Sequence, residues 1–297
     1  MSGLVALRDV TLRDGLQDER PIPTDAKLAI FDALVGAGVR DLEITSFVRS
    51  DRVPALADAE QVVAATAGAE GVTRWGLVLN RRGAERALAA GLDHLQFVLS
   101  ISEQHNLRNA GRTVDESFAE LRALRSIAAD ATLEVTLATA FGCPYAGAVA
   151  PDSVDEAVER ALDCDVDGIT LADTIGTGAP SEVRRVVAQA VARAGGVPVG
   201  AHLHDTRGLG LANALAALEA GARRLDAALG GLGGCPFAPG ASGNVAIEDL
   251  AHALECEGRS TSLDVAGLVE AARAACRAVG RDVESHVGRA GPRFTQI

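Results

Sequence analysis

Lysine is almost missing from this chain. A single lysine, Lys27, stands among 297 residues, inside a helical pattern that runs from Thr24 to Gly36. Imine chemistry of the aldolase or pyridoxal phosphate type needs a lysine amine at the reacting centre, and Lys27 is badly placed to supply one. Carbanion chemistry on this chain would therefore need a metal. Basic runs are missing as well. A formal net charge of −12 and a pI near 5.0 leave nothing to offset phosphate repulsion, which argues against nucleic acid or an anionic membrane as partner. Apolar runs are broken by Arg, Asp or Gly before they reach the roughly 20 residues of a membrane-spanning helix, and Met1 to Val10 carries no leader-like pattern. The five cysteines, Cys143, Cys164, Cys235, Cys256 and Cys276, are an odd number with no C-x-x-C pair. Neither a disulfide framework nor a zinc knuckle is signalled, and a reducing, cytoplasmic setting is expected.

What is present is alternation. Short runs rich in Val, Ile and Leu take turns with longer stretches of helical period, the pattern of βα units on a parallel sheet. Strands are predicted at Leu4–Leu12, Val39–Thr45, Thr73–Leu79, His94–Leu99, Thr132–Thr139, Gly168–Ala172, Val197–Leu203 and Arg224–Leu229. Helices are predicted at Thr24–Gly36, Val53–Thr66, Gly83–Ala90, Thr113–Ala129, Ser153–Leu162, Ser181–Ala194, Leu209–Ala220 and Val245–Glu257. Gly38 and Gly91 stand where helices should stop, and Thr24, Thr113 and Ser181 are candidate N-caps, with Asp152 and Ser153 serving helix five. Eight such units without a linker between them predict an α/β fold, a (β/α)8 TIM barrel spanning residues 1–297 as one domain. A helical extension follows from about residue 260, patterned over Leu263–Ala278, to pack on the barrel or on a second subunit; a homodimer is expected.

In a parallel barrel the reactive mouth lies at the C-terminal strand ends, so polar residues there carry functional weight. Arg13 and Asp14 follow strand one, Glu43 ends strand two, Asp173 follows strand six, and His202 and His204 close strand seven. Side chains alternate along a strand, so His202 and His204 share one side while Leu203 takes the other. A lone histidine is more often a core or surface residue; a same-side pair beside acidic groups is a natural chelate. Asp14 comes next to them once strand one pairs with strand eight. With the Asn244 amide, this mixed N/O set suits Mg2+ or Mn2+ better than tetrahedral zinc.

The stretch Gly230 to Asn244 is glycine-rich and longer than an ordinary βα connection, which suits a lid. It lacks the lysine of a nucleotide-binding P-loop. Cys143-Pro144-Tyr145 follows strand five and is as well explained by wall packing as by chemistry. His94, His252 and His286 read as structural or surface residues, His105 stays open, and Arg122, Arg125, Arg184 and Arg185 read as solvated helix faces.

With these residues in place the chain resembles the hydroxymethylglutaryl-CoA lyase family, within the metal-dependent barrels that include isopropylmalate and homocitrate synthases. Thr11-Leu12-Arg13-Asp14-Gly15-Leu16-Gln17 looks like the family's opening motif, and His202-Leu203-His204-Asp205-Thr206 like its metal-binding motif. Gly231 through Asn244, continuing to Glu248-Asp249-Leu250, is similar to the lyase signature loop, and Asp173-Thr174-Ile175-Gly176 and Gly142-Cys143-Pro144-Tyr145 also match. The resemblance implies a metal held by Asp14, His202, His204 and Asn244, and an acyl-CoA-type substrate. It implies that Arg13 stabilises the enolate oxygen and Glu43 orients Arg13. It further implies that Gln17 and Asp173 line the substrate pocket, Cys235 moves a proton from the lid, and His202 or Asp14 is the base. After strand two, relatives carry Ser-Pro-Lys-Trp where this chain has Arg49-Ser50-Asp51-Arg52, which predicts an altered acyl selection. The expected reaction is retro-Claisen cleavage of a 3-hydroxy-acyl-CoA to acetyl-CoA and a keto product. The alternatives are a barrel aldolase or condensing enzyme acting on a 2-oxo acid, a lyase for a substrate without CoA, and a barrel kept only for binding.

Overall fold

A computed structural model describes residues 5–234 and 243–293. Eight parallel strands close into a barrel in sequence order: β1 (Ala6–Asp9), β2 (Asp41–Ser46), β3 (Thr73–Val78), β4 (His94–Ser100), β5 (Thr132–Ala138), β6 (Gly168–Asp173), β7 (Val199–Leu203) and β8 (Arg224–Ala227). Closure is made by β1 on β8, with Ala6 opposite Arg224 and Asp9 opposite Ala227. That pairing carries the residues after β1 to those after β7 and β8.

The helices are α1 (Thr24–Gly36), α2 (Ala59–Ala65), α3 (Arg81–Ala89), α4 (Glu103–Ala110), α5 (Val114–Ile127), α6 (Pro151–Leu162), α7 (Pro180–Arg193), α8 (Gly210–Glu219), α9 (Ile247–Cys256), α10 (Val265–Val279) and α11 (His286–Ala290). Apolar positions one helical turn apart, such as Val183, Val186, Val187 and Ala190 on α7, face the sheet and are buried. The expected C-terminal helix is α10, which packs on α1 and on the segment after β8. Among the described residues no helix is long and apolar enough to cross a membrane.

Three local expectations give way to backbone chemistry. The first strand ends at Asp9, because Thr11–Gly15 coil into a π-helical turn. The stretch expected as one helix over Val53–Thr66 splits into a 3-10 turn at Pro54–Leu56 and α2. An unexpected helix, α4, precedes α5; Ser102 caps its start and Gly111, at φ +67°, ends it. Of the N-caps, Thr113 forms a full capping box with Glu116. Thr24 and Ser181 are the first and second residues of their helices, behind the N-cap positions Pro23 and Ala179. Gly38 and Gly91 do end helical segments, at φ +95° and +96°.

Candidate active site

The site begins with the turn after β1. The Thr11 amide and hydroxyl both donate to Asp9, at 2.9 and 2.8 Å, and the Thr11 hydroxyl accepts the Leu229 amide at 2.8 Å. Burial pushes the Asp9 carboxyl up to about 7. Tied in this way to the end of β8, the turn aims Arg13 and Asp14 into the barrel mouth.

Arg13 donates from Nε to Glu43 Oε2 at 2.8 Å and from Nη1 to Asp14 Oδ1. Burial works against its charge, but Glu43 and Asp14 outweigh that and hold Arg13 charged. Burial also raises Glu43, with Arg13 opposing. Asp14 Oδ1 accepts Gln17 Nε2 at 3.0 Å, and Oδ2 accepts Asn244 Nδ2 at 2.8 Å. For Asp14, burial alone would raise the carboxyl; Arg13 and the two imidazoles outweigh it and hold the group well below the usual carboxylate range.

His202 and His204 do share one side of the end of β7. Their Nε2 atoms lie 3.2 Å apart, and 3.9 and 3.6 Å from Asp14 Oδ2. All three residues are buried, and one donor atom from each falls within 4.8 Å of the others. Asn244 is brought in by a short backbone pairing. His204 bridges to Asn244, the Asp205 amide donates to Gly243 O at 3.0 Å, and the Val245 amide to Leu203 O at 3.1 Å. Gly233 makes room: at φ +110°, a Cβ there would stand 2.5 Å from Asn244 Nδ2.

This donor set fits a divalent cation. Two imidazole nitrogens face one point beside a carboxylate, and Asn244 Oδ1 is buried without a hydrogen-bond partner among the described residues. Mixed imidazole, carboxylate and amide donors are the ligands of Mg2+ or Mn2+ sites that keep waters.

The cavity above these residues has a volume of about 660 Å3 and is lined by Arg13, Asp14, Gln17, His202 and His204 on its floor. Asp173 is placed differently. It is fully buried and accepts the Thr177 and Gly178 amides at 2.9 Å each, while its neighbours Ala172 and Thr174 line the cavity. Cys235 lies outside the described residues. Cys143 is buried in the wall, with Sγ 2.9 Å from Ser102 Oγ.

One residue that the sequence left open, His105, and one that it missed, Asp226, also stand at the site. His105 lines the cavity, its Nδ1 is 2.6 Å from Ser100 Oγ, and burial pushes it down to about 4, so the ring is neutral. Asp226 stands behind His202, with Oδ2 3.4 Å from Nδ1. A carboxylate there fixes the tautomer that leaves Nε2 free to bind a metal. An acidic residue one β-strand over from the His pair was the available signal.

The HMGL-like family model matches residues 4–274. The chain is 40% identical to an (R)-citramalyl-CoA lyase of Chloroflexus aurantiacus, over 99% of this chain and 96% of that one. It is 38% identical to a hydroxymethylglutaryl-CoA lyase of Bacillus subtilis, over 91% of each. Among solved structures, an HMG-CoA lyase of Acinetobacter baumannii in complex with coenzyme A and 3-methylmalate superposes with a TM-score of 0.95 at 40% identity, covering 99% of this chain and 97% of that one. With the family model matched over most of the chain and these relatives covered over nine-tenths or more of their length, the chain belongs to the HMGL-like family, among its carbon–carbon lyases.

Proposed function

We propose that this chain cleaves a branched 3-hydroxy-acyl-CoA bearing a second carboxylate, releasing acetyl-CoA and a keto acid, and that it needs Mg2+ or Mn2+ to do so. The observation that carries the reading is the convergence of Asp14, His202 and His204 on one point beside Arg13. A divalent cation held by these residues and Asn244 supplies Lewis-acid polarisation, acidifying a bound hydroxyl and ordering a carbonyl.

The remaining steps belong to side chains. The substrate hydroxyl loses its proton as the bond between C2 and C3 breaks; the C3 oxygen becomes a ketone and the electron pair passes to C2 as the acetyl-CoA enolate. His202 and Asp14 are the two candidates to take that proton. Arg13, charged and oriented by Glu43, is a preset donor for the enolate oxygen, where hydrogen bonds count most. Cys235 is assigned the proton that converts the enolate to acetyl-CoA: a thiol with a reference pKa of about 8.5 can give and regain one near neutrality.

The relatives' names put the extra carboxylate either directly on C3, as in citramalyl-CoA, or one carbon away, as in hydroxymethylglutaryl-CoA. Purified protein should release acetyl-CoA from a panel containing both, lose turnover on exhaustive chelation, and regain it with Mg2+ or Mn2+. Full activity without metal, or no acetyl-CoA from any member of the panel, would sink the reading.

A further inference from the structure

Alternate strands fill each layer of the interior of an eight-stranded barrel. From β3, β5 and β7 the cavity receives Leu77, Thr136 and His202, and from β4 and β6, on either side of β5, Val98 and Ala172. Thr136 thus faces the same space as the cluster of Asp14, His202 and His204, from two strands away. It stays half-buried in a strand whose residues from Leu133 on are otherwise buried; its neighbours Ala138 and Ala172 are small and leave it open to the cavity. The Thr136 hydroxyl ends a directed chain. Arg8 Nη1 donates to Gln96 Oε1 at 2.9 Å, and Gln96 Nε2 donates to Thr136 Oγ1 at 2.7 Å. A guanidinium only donates, so Arg8 settles which end of the Gln96 amide is the oxygen, and the Gln96 N–H leaves the Thr136 hydroxyl its own proton to give. Both links point from the charge toward the cavity, and each polarises the next.

We propose that Thr136 is a specificity-determining residue: its hydroxyl donates to the second carboxylate of an acyl group that carries it one carbon beyond C3. This rests on the acyl-CoA reading and decides between the two substrate shapes that reading allows. A hydroxyl whose proton is its free end takes an acceptor. The other side chains that line the cavity from β3 to β6, Leu77, Val98, Ala138 and Ala172 among them, carry no charge of either sign. A carboxylate entering there meets neither a repelling acid nor a salt-bridge partner. Its hydrogen bond to Thr136, with the Arg8 guanidinium two links behind, is then what favours it over a methyl group. Reach sorts the substrates. A carboxylate bonded directly to C3 stays beside the reacting hydroxyl, on the side of Asp14 and His202, while one on a further carbon extends across the cavity toward β5. Acyl selection then belongs to the barrel interior; Arg49-Ser50-Asp51-Arg52, expected from sequence to alter it, is exposed throughout.

The test is the ratio of kcat/KM for hydroxymethylglutaryl-CoA to kcat/KM for citramalyl-CoA, in metal-loaded parent, Thr136→Val and Thr136→Ser. Valine keeps the shape of threonine without the hydroxyl, and serine keeps the hydroxyl. The parent should favour hydroxymethylglutaryl-CoA. A hydrogen bond to a charged group is worth enough that the ratio should fall about tenfold or more in Thr136→Val and recover in Thr136→Ser. A second readout needs no turnover. Cleavage of the two thioesters leaves acetoacetate and pyruvate, which differ by the same carbon, and calorimetry on the metal-loaded proteins should show tighter binding of acetoacetate in the parent and in Thr136→Ser, with the preference lost in Thr136→Val. Circular dichroism checks that both variants are folded. A parent without these preferences, a ratio undiminished in Thr136→Val, or one lowered equally in Thr136→Ser overturns the proposal. A Thr136-dependent preference for acetoacetate in a protein that cleaves no thioester would instead overturn the reaction and leave the role of Thr136 standing.

Discussion

Two clusters of buried charge lie one above the other in this barrel, and they are satisfied to different degrees. Inside the barrel Arg8 donates to Asp41, Gln96 and Glu134 at 2.9 Å each and lies 3.7 Å over the Trp75 ring. Arg224 reaches Glu134 at 2.7 Å, Thr170 at 2.6 Å and Asp226 at 3.1 Å. At the mouth, by contrast, Glu43 Oε1, His204 Nδ1 and Asn244 Oδ1 are buried with no hydrogen-bond partner among the described residues. A network whose charged groups are all paired has no need of a ligand, even with Trp75 Nε1 left without a partner among the described residues. An open one leaves buried polar atoms that cost free energy until something binds. The difference separates a structural ladder from a reactive site without reference to any relative, and Asp226, touching both Arg224 and His202, is the joint between them.

The comparison breaks most visibly at Glu134. Glu134→Leu leaves Arg8 and Arg224 buried without their shared carboxylate, and removing one partner of a buried pair costs about 3–5 kcal/mol. Chemical denaturation should register that loss while metal titration of the folded variant stays near the parent. Comparable loss of metal affinity would mean that ladder and mouth are one unit.

At the mouth the opposite split is expected. Arg13→Met should lower kcat by about 10²–10³, the scale of one oxyanion donor, with metal still bound. His204→Ala should weaken metal binding, read by competition with a chelating dye. If Arg13→Met also released the metal, Arg13 would be holding Asp14 rather than acting on substrate.

The joint itself predicts a smaller change. Asp226→Asn keeps the size of the side chain but takes away the carboxylate that orients His202, and losing such a support typically weakens metal affinity about 10–100-fold. The same titration measures it. An unchanged affinity would show that β7 alone orients the ring.

Much of this was legible in the chain. Eight βα units announce the barrel through their alternating periods, and the spacing of His202 and His204 puts both on one side of a strand whatever the fold around them. Other features are written in contacts rather than patterns. Arg8, Glu134 and Arg224 are single charges in short apolar strands, and nothing local says that closure brings them together. The π turn at Thr11–Gly15 depends on Asp9 accepting from Thr11, which strand periodicity does not encode. Helix α4 is short and polar, so its period is faint; its ends, Ser102 and Gly111, were the readable signal. Asp173 shows the converse. It stands at the C-terminal end of β6, yet its carboxylate turns to the Thr177 and Gly178 amides, a choice made by the loop and not by the strand.

The smallest expected effect concerns a carboxyl behind the mouth. Glu248 on α9 is fully buried and accepts the Gly230 amide at 3.0 Å, supporting the segment that leads toward Asn244. Burial pushes it up to about 7, with the neighbouring Asp249 charge adding to the rise and the Gly230 amide opposing it. A carboxyl raised in the folded state holds its proton there while the unfolded chain releases it, so its contribution to stability is complete below about pH 4.5 and is lost as pH climbs toward 7. One such proton sets a slope of at most about 1.4 kcal/mol per pH unit in that window. Glu248→Gln keeps an oxygen for Gly230 and has no charge to bury. Denaturant midpoints across pH 4–8 should therefore fall less steeply in Glu248→Gln than in the parent, the two curves lying together near pH 4 and separating toward pH 7, where the variant is the more stable. The titrations of the mouth are common to both proteins and cancel in the difference. Parallel curves over the whole range would show that Glu248 is ionised in the folded protein, held by the Gly230 amide against its burial.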